Sequence, residues 1–298
     1  MGSPSYAAAH YTGAYDAELA VKSLAPFARG TIGLVGASAM SYAFVDHVKR
    51  NLSSATFVDA SDLVDRIKAE KSAEELAHIR QVAAMQDRAM RAAFAAIRPG
   101  MRDIEVAAIA EQVGHSFGSE QGLFLCASGP LGKAAFFGNR HVQNRVVREG
   151  DSFTLLIENN GSGGLYTELG RTCVLGKVPQ EFVDELGIVL EARANTLAMM
   201  KPGAACKDIW DAHNAFMRSK NRPEERRVYC HGQGHDMVER PLVRSDEPMP
   251  LPPNLNFACH PAYQTEGVYS WICDNFFMHA DGRVERLHRF PEEVVALA

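Results

Sequence analysis

The 298-residue chain lacks the marks of several protein classes. It has no basic run and a formal net charge of −5, so the cationic footprint of a nucleic-acid binder is missing. No apolar stretch approaches the ~18 residues of a membrane-spanning helix, and the start carries no secretory apolar core. Cys126, Cys173, Cys206, Cys230, Cys259 and Cys273 are scattered, with no C-x-x-C pair among them. In a chain this long they read as free thiols in a reducing compartment, and the cytoplasm is the expected location. A G-x-G-x-x-G fingerprint is absent too, which leaves a dinucleotide site unsupported. With 46% hydrophobic and 22% charged residues, what remains is a globular chain with room for one large domain and one small one.

The densest polar run is YCHGQGHDMVERP, Tyr229 to Pro241. Its glycines carry no Cβ and let the backbone approach a ligand closely. The run reads as an active-site strand that presents His231 as acid, base or metal ligand.

Around it the chain divides by pattern. Thr31 to Gly36, Ser41 to Leu52 and Thr56 to Asp59 form a β-α-β stub, too small to bury a good core alone. From Ser61 to Ile97 the periodicity is helical, with a break and restart at Lys71 to Glu75. Ser72 and Glu75 have the spacing of a capping box, and Arg98-Pro99-Gly100 stops the helix. A short repeat follows: Pro99-Gly100 precedes Asp103-Ile104 and a helix, and Pro202-Gly203 precedes Asp208-Ile209 and another. It predicts two α-β halves about a pseudo-twofold axis, with the site in the crevice between them.

Strands are expected at Leu123 to Pro130, Val142 to Val147, Ser152 to Glu158 and Leu165 to Leu175. The last two are joined by a glycine-rich hairpin that sets Glu158 and Glu168 on adjacent antiparallel strands. Paired carboxylates across a hairpin suit metal binding or divided acid and base roles. Asn256 to Pro261 is a strand that delivers His260 to a turn. Tyr269 to Phe277 is another, on which Cys273 and Asp274 point to opposite faces, so only one of them lines the pocket.

This order of pieces resembles the creatinase / Xaa-Pro aminopeptidase / methionine aminopeptidase family, of M24 type. The match runs from about residue 31 to 290. It rests on KSAEELAHIRQVAAMQDRAM at Lys71 to Met90, Gly150-Asp151, YTELGRT at Tyr166 to Thr172, HGQG at His231 to Gly234, Glu239 to Pro241, His260-Pro261, and Cys273 to Gly282. The resemblance implies an α/β (α+β) pita-bread fold, with pseudo-twofold α-β repeats around a curved antiparallel sheet. A catalytic domain over residues 68–298 is expected, preceded by a remnant of that family's N-terminal domain over residues 1–67. It also implies a homodimer acting on a small molecule, with no nucleic-acid or membrane partner.

Metal-dependent members carry two aspartates, one histidine and two glutamates around a dinuclear centre. Here the resemblance puts Ile157, or Glu158, at the first aspartate and Glu168 at the second. His231 keeps the histidine, while His260 and Cys273 take the glutamate positions, with Asp274 beside Cys273 and Val238 where a second histidine is expected. The pocket histidine of creatinase, which works without metal, falls at Asn139, two residues from His141.

Too few carboxylates remain for two bridged ions. The leading expectation is therefore a metal-free, creatinase-like hydrolase of a C–N bond, with no cofactor. In it His231 is the general acid/base, Glu168 and Glu239 orient or tune it, and His260 completes the catalytic set. Glu158, Asn139, His141, Arg171, His235, Cys273 and Asp274 are the expected substrate contacts, with Arg171 a carboxylate holder. The alternatives are one divalent ion (zinc, iron or manganese) on Glu168, His231 and His260 in a hydrolase or peptidase of the Xaa-Pro type, and a non-catalytic binding module.

Overall fold

A computed structural model describes residues 13–137 and 144–297. The chain forms two compact units, Met1–Ile67 and Lys68–Ala298. In the first, α1 (Ala14–Leu24) and α2 (Tyr42–Asn51) accompany a parallel pair, β1 (Thr31–Leu34) and β2 (Thr56–Asp59). Its core is small, built on buried Ile32, Val48 and Leu52. Helix α3 (Ser61–Ala69) carries the chain across the boundary.

The second unit is built from two similar halves. In the first half α4 (Ala73–Ala96) opens on the expected capping box: Glu75 N–H donates to Ser72 Oγ, and Ser72 N–H donates to the Glu75 carboxylate. Helix α5 (Asp103–Ser116) and three strands follow: β3 (Gly122–Pro130), β4 (Asp151–Asn160) and β5 (Tyr166–Leu175). The second half repeats the plan with α6 (Gln180–Met199), α7 (Cys206–Ser219), β6 (Cys230–Gly232), β7 (Glu239–Leu242) and β8 (Leu255–Cys259). It ends with β9 (Ala262–Gln264), β10 (Tyr269–Trp271), β11 (Asp274–Met278), β12 (Val284–Arg286) and β13 (Val295–Leu297). The two Pro-Gly turns do the same job in each half. Gly100 N–H donates to Val147 O and Gly203 N–H to Leu251 O, each tying the helix-to-helix turn to a later segment.

The strands form two main sheets, β13-β5-β4-β3 and β12-β11-β8-β6-β7, with β9 and β10 as a separate hairpin. Every residue of β4 and β5 is buried, because both faces are covered. Phe153, Leu155, Ile157 and Leu169 face helices α4 and α5. Burial contributes roughly 1.5–3 kcal/mol for each such side chain. In the second sheet Cys230, Phe257 and Cys259 pack with Met200, Cys206 and Ile209 of the α6–α7 layer. Strand alternation then turns Glu158, Glu168, His231 and His260 towards the opposite faces.

Two expectations about strands are corrected. Val142 and Gln143 lie outside the described residues, and beyond them Val146 makes only an isolated bridge to Arg102. The expected single strand from Tyr269 to Phe277 is two: β10 pairs with β9, whereas β11 pairs with β8 and β12. At the break Cys273 bridges Gly170 of β5, with Gly170 N–H to Cys273 O at 3.0 Å and the return bond at 3.2 Å. This joins the two sheets. A Cβ on Gly170 would lie 2.1 Å from Trp271 Cη2, so only glycine permits the approach.

Candidate active site

The register pairs Glu158 with Glu168 across the β4–β5 hairpin, and it is Ile157 that points into the helix-covered core. Glu158, not Ile157, therefore takes the first carboxylate position. From the other sheet His231 brings Nε2 to 3.9 Å from Glu168 Oε2, and His260 brings its Nε2 to 3.6 Å from Oε1. The imidazole centres are 5.2 Å apart. One donor atom from each of Glu168, His231 and His260 lies within 4.8 Å of the others, a spacing that one ion can bridge.

Cys273 donates its thiol hydrogen to Glu168 Oε1 at 2.7 Å, and Glu158 directs a second proton at the same carboxylate. Burial, reinforced by the Glu168 charge, raises the Glu158 pKa well above the usual carboxylate value, and the same two causes raise the Cys273 thiol. Burial also works against the Glu168 anion. The imidazoles of His260 and His231 and the donors Cys273 and Glu158 outweigh it and hold the Glu168 pKa below the ordinary value. His260 is pushed down to about 4, first by burial, so its ring is neutral and keeps a lone pair near neutral pH. His231 anchors its ring through Nδ1 on Gly232 O at 2.8 Å, which leaves Nε2 facing Glu168.

These groups line a cavity of about 200 Å³ whose other walls include Leu156, Phe137, Trp271 and Tyr269. The aromatic wall is continuous: the Phe137 ring lies 4.8 Å from Trp271 and 5.5 Å from Tyr269.

Several residues singled out in the sequence do other work. Arg171 lies an odd number of positions from Glu168 and so points to the opposite face of β5. It is buried and donates to Asp274 Oδ1, Gly170 O, Cys273 O, Pro291 O and Phe290 O, with no group left for a substrate carboxylate. Asp274 is fully buried and neutralised by Arg171 at 2.7 Å, Arg193 at 2.6 Å and Arg286 at 2.9 Å. It is the hub of an ion-pair network rather than a substrate contact. Cys273, its neighbour on the strand, does face Glu168, but it is wholly covered and sits behind that carboxylate.

Glu239 pairs with buried Lys71 at 2.7 Å and accepts the Asp236 amide, so its described contacts do not reach His231. His235 is exposed and bound to Glu75, outside the cavity. Asn139 and His141 lie outside the described residues. The glycines of the HGQG run serve packing rather than a ligand: a Cβ on Gly234 would meet Lys71 Cε at 2.5 Å. Sequence reasoning missed Arg227, Tyr269 and Trp271, which line the cavity. Tyr269 and Trp271 precede Cys273 by four and two residues and share its parity, a signal that could have found them; Arg227 had none.

Fold and donor set define a two-halved hydrolytic scaffold with a carboxylate–histidine centre where the sheets meet. The chain belongs to metallopeptidase family M24, whose model matches residues 77–285. An uncharacterized hydrolase/peptidase of Sinorhizobium fredii is 26% identical over 272 residues, covering 87% of this chain and 66% of that protein. The Xaa-Pro dipeptidase of Pyrococcus furiosus is 27% identical over 190 residues, 60% of this chain and 50% of that one. The chain thus spans between half and two thirds of the length of these curated relatives. Among solved structures, the X-Pro aminopeptidase of Thermotoga maritima superposes with a TM-score of 0.80 at 23% identity, over 95% of this chain and 80% of that one. The pita-bread architecture expected from the sequence is the observed one. No helix among the described residues is long and apolar enough to cross a membrane.

Proposed function

We propose that the chain is a hydrolase of a C–N bond, of the peptide or amide type, in a small polar molecule, assisted by one divalent ion. The observation that carries this reading is the convergence of Glu168, His231 and His260 on one point at the wall of the cavity. An anionic carboxylate and two imidazoles, one of them held neutral by burial, are the donor types zinc or iron takes. Membership of a metallopeptidase family favours this over the metal-free histidine mechanism, and the relatives' names, hydrolase/peptidase and Xaa-Pro dipeptidase, favour the peptide or amide bond.

Glu168, His231 and His260 would hold the ion, which would supply Lewis-acid polarisation of the scissile carbonyl. The chain's own groups do the rest. Glu158, protonated at Oε and fixed by a 2.9 Å hydrogen bond from Gln233 Nε2, keeps a proton beside the centre that can pass to a leaving nitrogen. Phe137, Trp271 and Tyr269 exclude bulk water and hold the apolar part of the substrate.

Elemental analysis of protein purified without a metal-affinity step should find about one zinc, iron or manganese per chain, lost with thermal stability on chelation. A content below about a tenth of an equivalent would return the reading to a metal-free site. Hydrolysis of a dipeptide and amide panel should disappear in Glu168→Ala and His231→Ala. Unchanged turnover in both would refute the assignment. The small unit exposes Tyr15, Leu19, Leu63 and Ile67, which supports self-association into a homodimer. Light scattering that gives the monomer mass at micromolar concentration would refute that part.

A further inference from the structure

The cavity has a polar end that the hydrolytic centre does not use. Tyr269, in the aromatic wall, is buried, yet its hydroxyl has no hydrogen-bond partner among the described residues. Leaving such a group unpaired costs roughly 1–3 kcal/mol. Native folds tolerate that where a ligand or water completes the bond.

Arg227 lines the same cavity, and its charge acts on the Tyr269 hydroxyl. Its guanidinium is oriented from behind: Nε donates to Glu225 Oε1 at 3.1 Å, and Nη2 to Glu225 Oε2 at 2.6 Å and to His260 O at 3.4 Å. Nη1 has no partner among the described residues. The side chain keeps 46% of its surface accessible, while Glu225, which holds it, is buried. A planar cation braced on one edge and open on the other is suited to an incoming carboxylate. Glu158 and Glu168 line the same cavity, so a substrate anion gains by pairing with the Arg227 cation rather than lying against those carboxyls.

We propose that Arg227 and the Tyr269 hydroxyl together read a carboxylate on the substrate and set its orientation, so that its apolar body lies on Phe137 and Trp271. Sequence reasoning expects this role of Arg171, whose donors are taken by Asp274 and backbone carbonyls. The inference deepens the hydrolase reading by naming the group that the same cavity selects.

The test compares N-benzoylglycine with its neutral amide, by calorimetric titration of the full chain. Wild type, Tyr269→Phe and Arg227→Gln are each measured with zinc loaded and after chelation. Wild type should prefer the carboxylate by about tenfold or more, from one charge-assisted hydrogen bond. Both variants should bring the preference close to one. Tyr269→Phe removes only an unpaired hydroxyl and keeps the ring contacts, so its melting temperature should match or exceed that of wild type. That separates loss of recognition from loss of fold.

No preference in wild type, or a preference that survives in both variants, overturns the proposal. A preference that vanishes on chelation of wild type but persists in the zinc-loaded variants also overturns it, because the ion would then be holding the carboxylate. A chain that binds no metal yet keeps the preference refutes the metal reading alone, so the two fail separately.

Discussion

Replacing Asp274 by asparagine keeps the shape of the side chain and removes the charge that three arginines share. Arg171 and Arg193 are themselves buried, and they lie 2.7 and 2.6 Å from the two Asp274 oxygens. An asparagine would also turn an N–H₂ group towards one of these guanidinium donors. Removing one partner of a buried ion pair costs about 3–5 kcal/mol, because the partner's charge is left uncompensated. For a unit of this size each kcal/mol moves the melting temperature by about 2–4 °C, so Asp274→Asn should melt roughly 6–20 °C lower at pH 7.

The pH dependence adds a second signature. Burial works against the Asp274 anion, but the arginines and His288 override it and hold its pKa well below the ordinary aspartate value. A depressed pKa stabilises the fold above the unfolded-state value near ~3.9, and that contribution fades as pH falls below it. The gap between variant and wild type should therefore be full at pH 7 and narrow below about pH 4. Differential scanning calorimetry across that range measures both. A variant that melts within about 2 °C of wild type but loses affinity for substrate would refute the hub and restore Asp274 to the binding site.

Gly170→Ala would place a Cβ 2.1 Å from Trp271 Cη2, forcing the sheet junction apart, with a stability loss of about 1–3 kcal/mol or more in urea titration. Lys71→Met strands the buried Glu239 carboxylate and should destabilise by about 3–5 kcal/mol, whereas Glu239→Gln should leave hydrolysis per folded molecule unchanged. Activity lost with normal melting in Glu239→Gln would return that residue to the catalytic set. His213 and His288 are each pushed down to about 4, first by burial, so each is neutral in the fold and protonates more readily once unfolded. Stability should then fall from pH 6.5 towards 4 with a slope of about 1.4 kcal/mol per pH unit for each, and His213→Phe, stacked on Tyr229, should make it shallower.

Much of this architecture was readable because its signals are local. Ser72 and Glu75 announce a helix start by spacing alone, and both halves of the large unit carry the same Pro-Gly punctuation. The hairpin placed Glu158 opposite Glu168 for the same reason: a short turn fixes register. Side-chain direction was legible only where parity was applied. Cys273 and Asp274 were separated correctly, yet the same rule assigns Glu168 and Arg171 to opposite faces, and Arg171 was nevertheless placed in the pocket. Lys71 with Glu239, and Arg227 with Tyr269, depend on contacts between distant segments, and no periodicity in a single sequence reports those.

Charge at the five positions is the reason for proposing one ion rather than two. The family resemblance supplies four carboxylates and a histidine for a dinuclear centre. In this chain those places hold Glu158, Glu168, His231, His260 and Cys273. Glu158 and Cys273 keep their protons, His260 is neutral, and both protonated groups donate to the Glu168 anion. A second cation held by Glu158 and Cys273 would have to displace both of these protons. Displacement would mean ionising a buried thiol and a buried carboxyl beside an existing anion, the arrangement that desolvation and like-charge repulsion oppose most strongly. A single dication among Glu168 and the two imidazoles requires neither ionisation. The substitutions are thus consistent with the single-ion site proposed above: Glu158 and Cys273 hydrogen-bond the retained Glu168, and His260 stays available as a ligand.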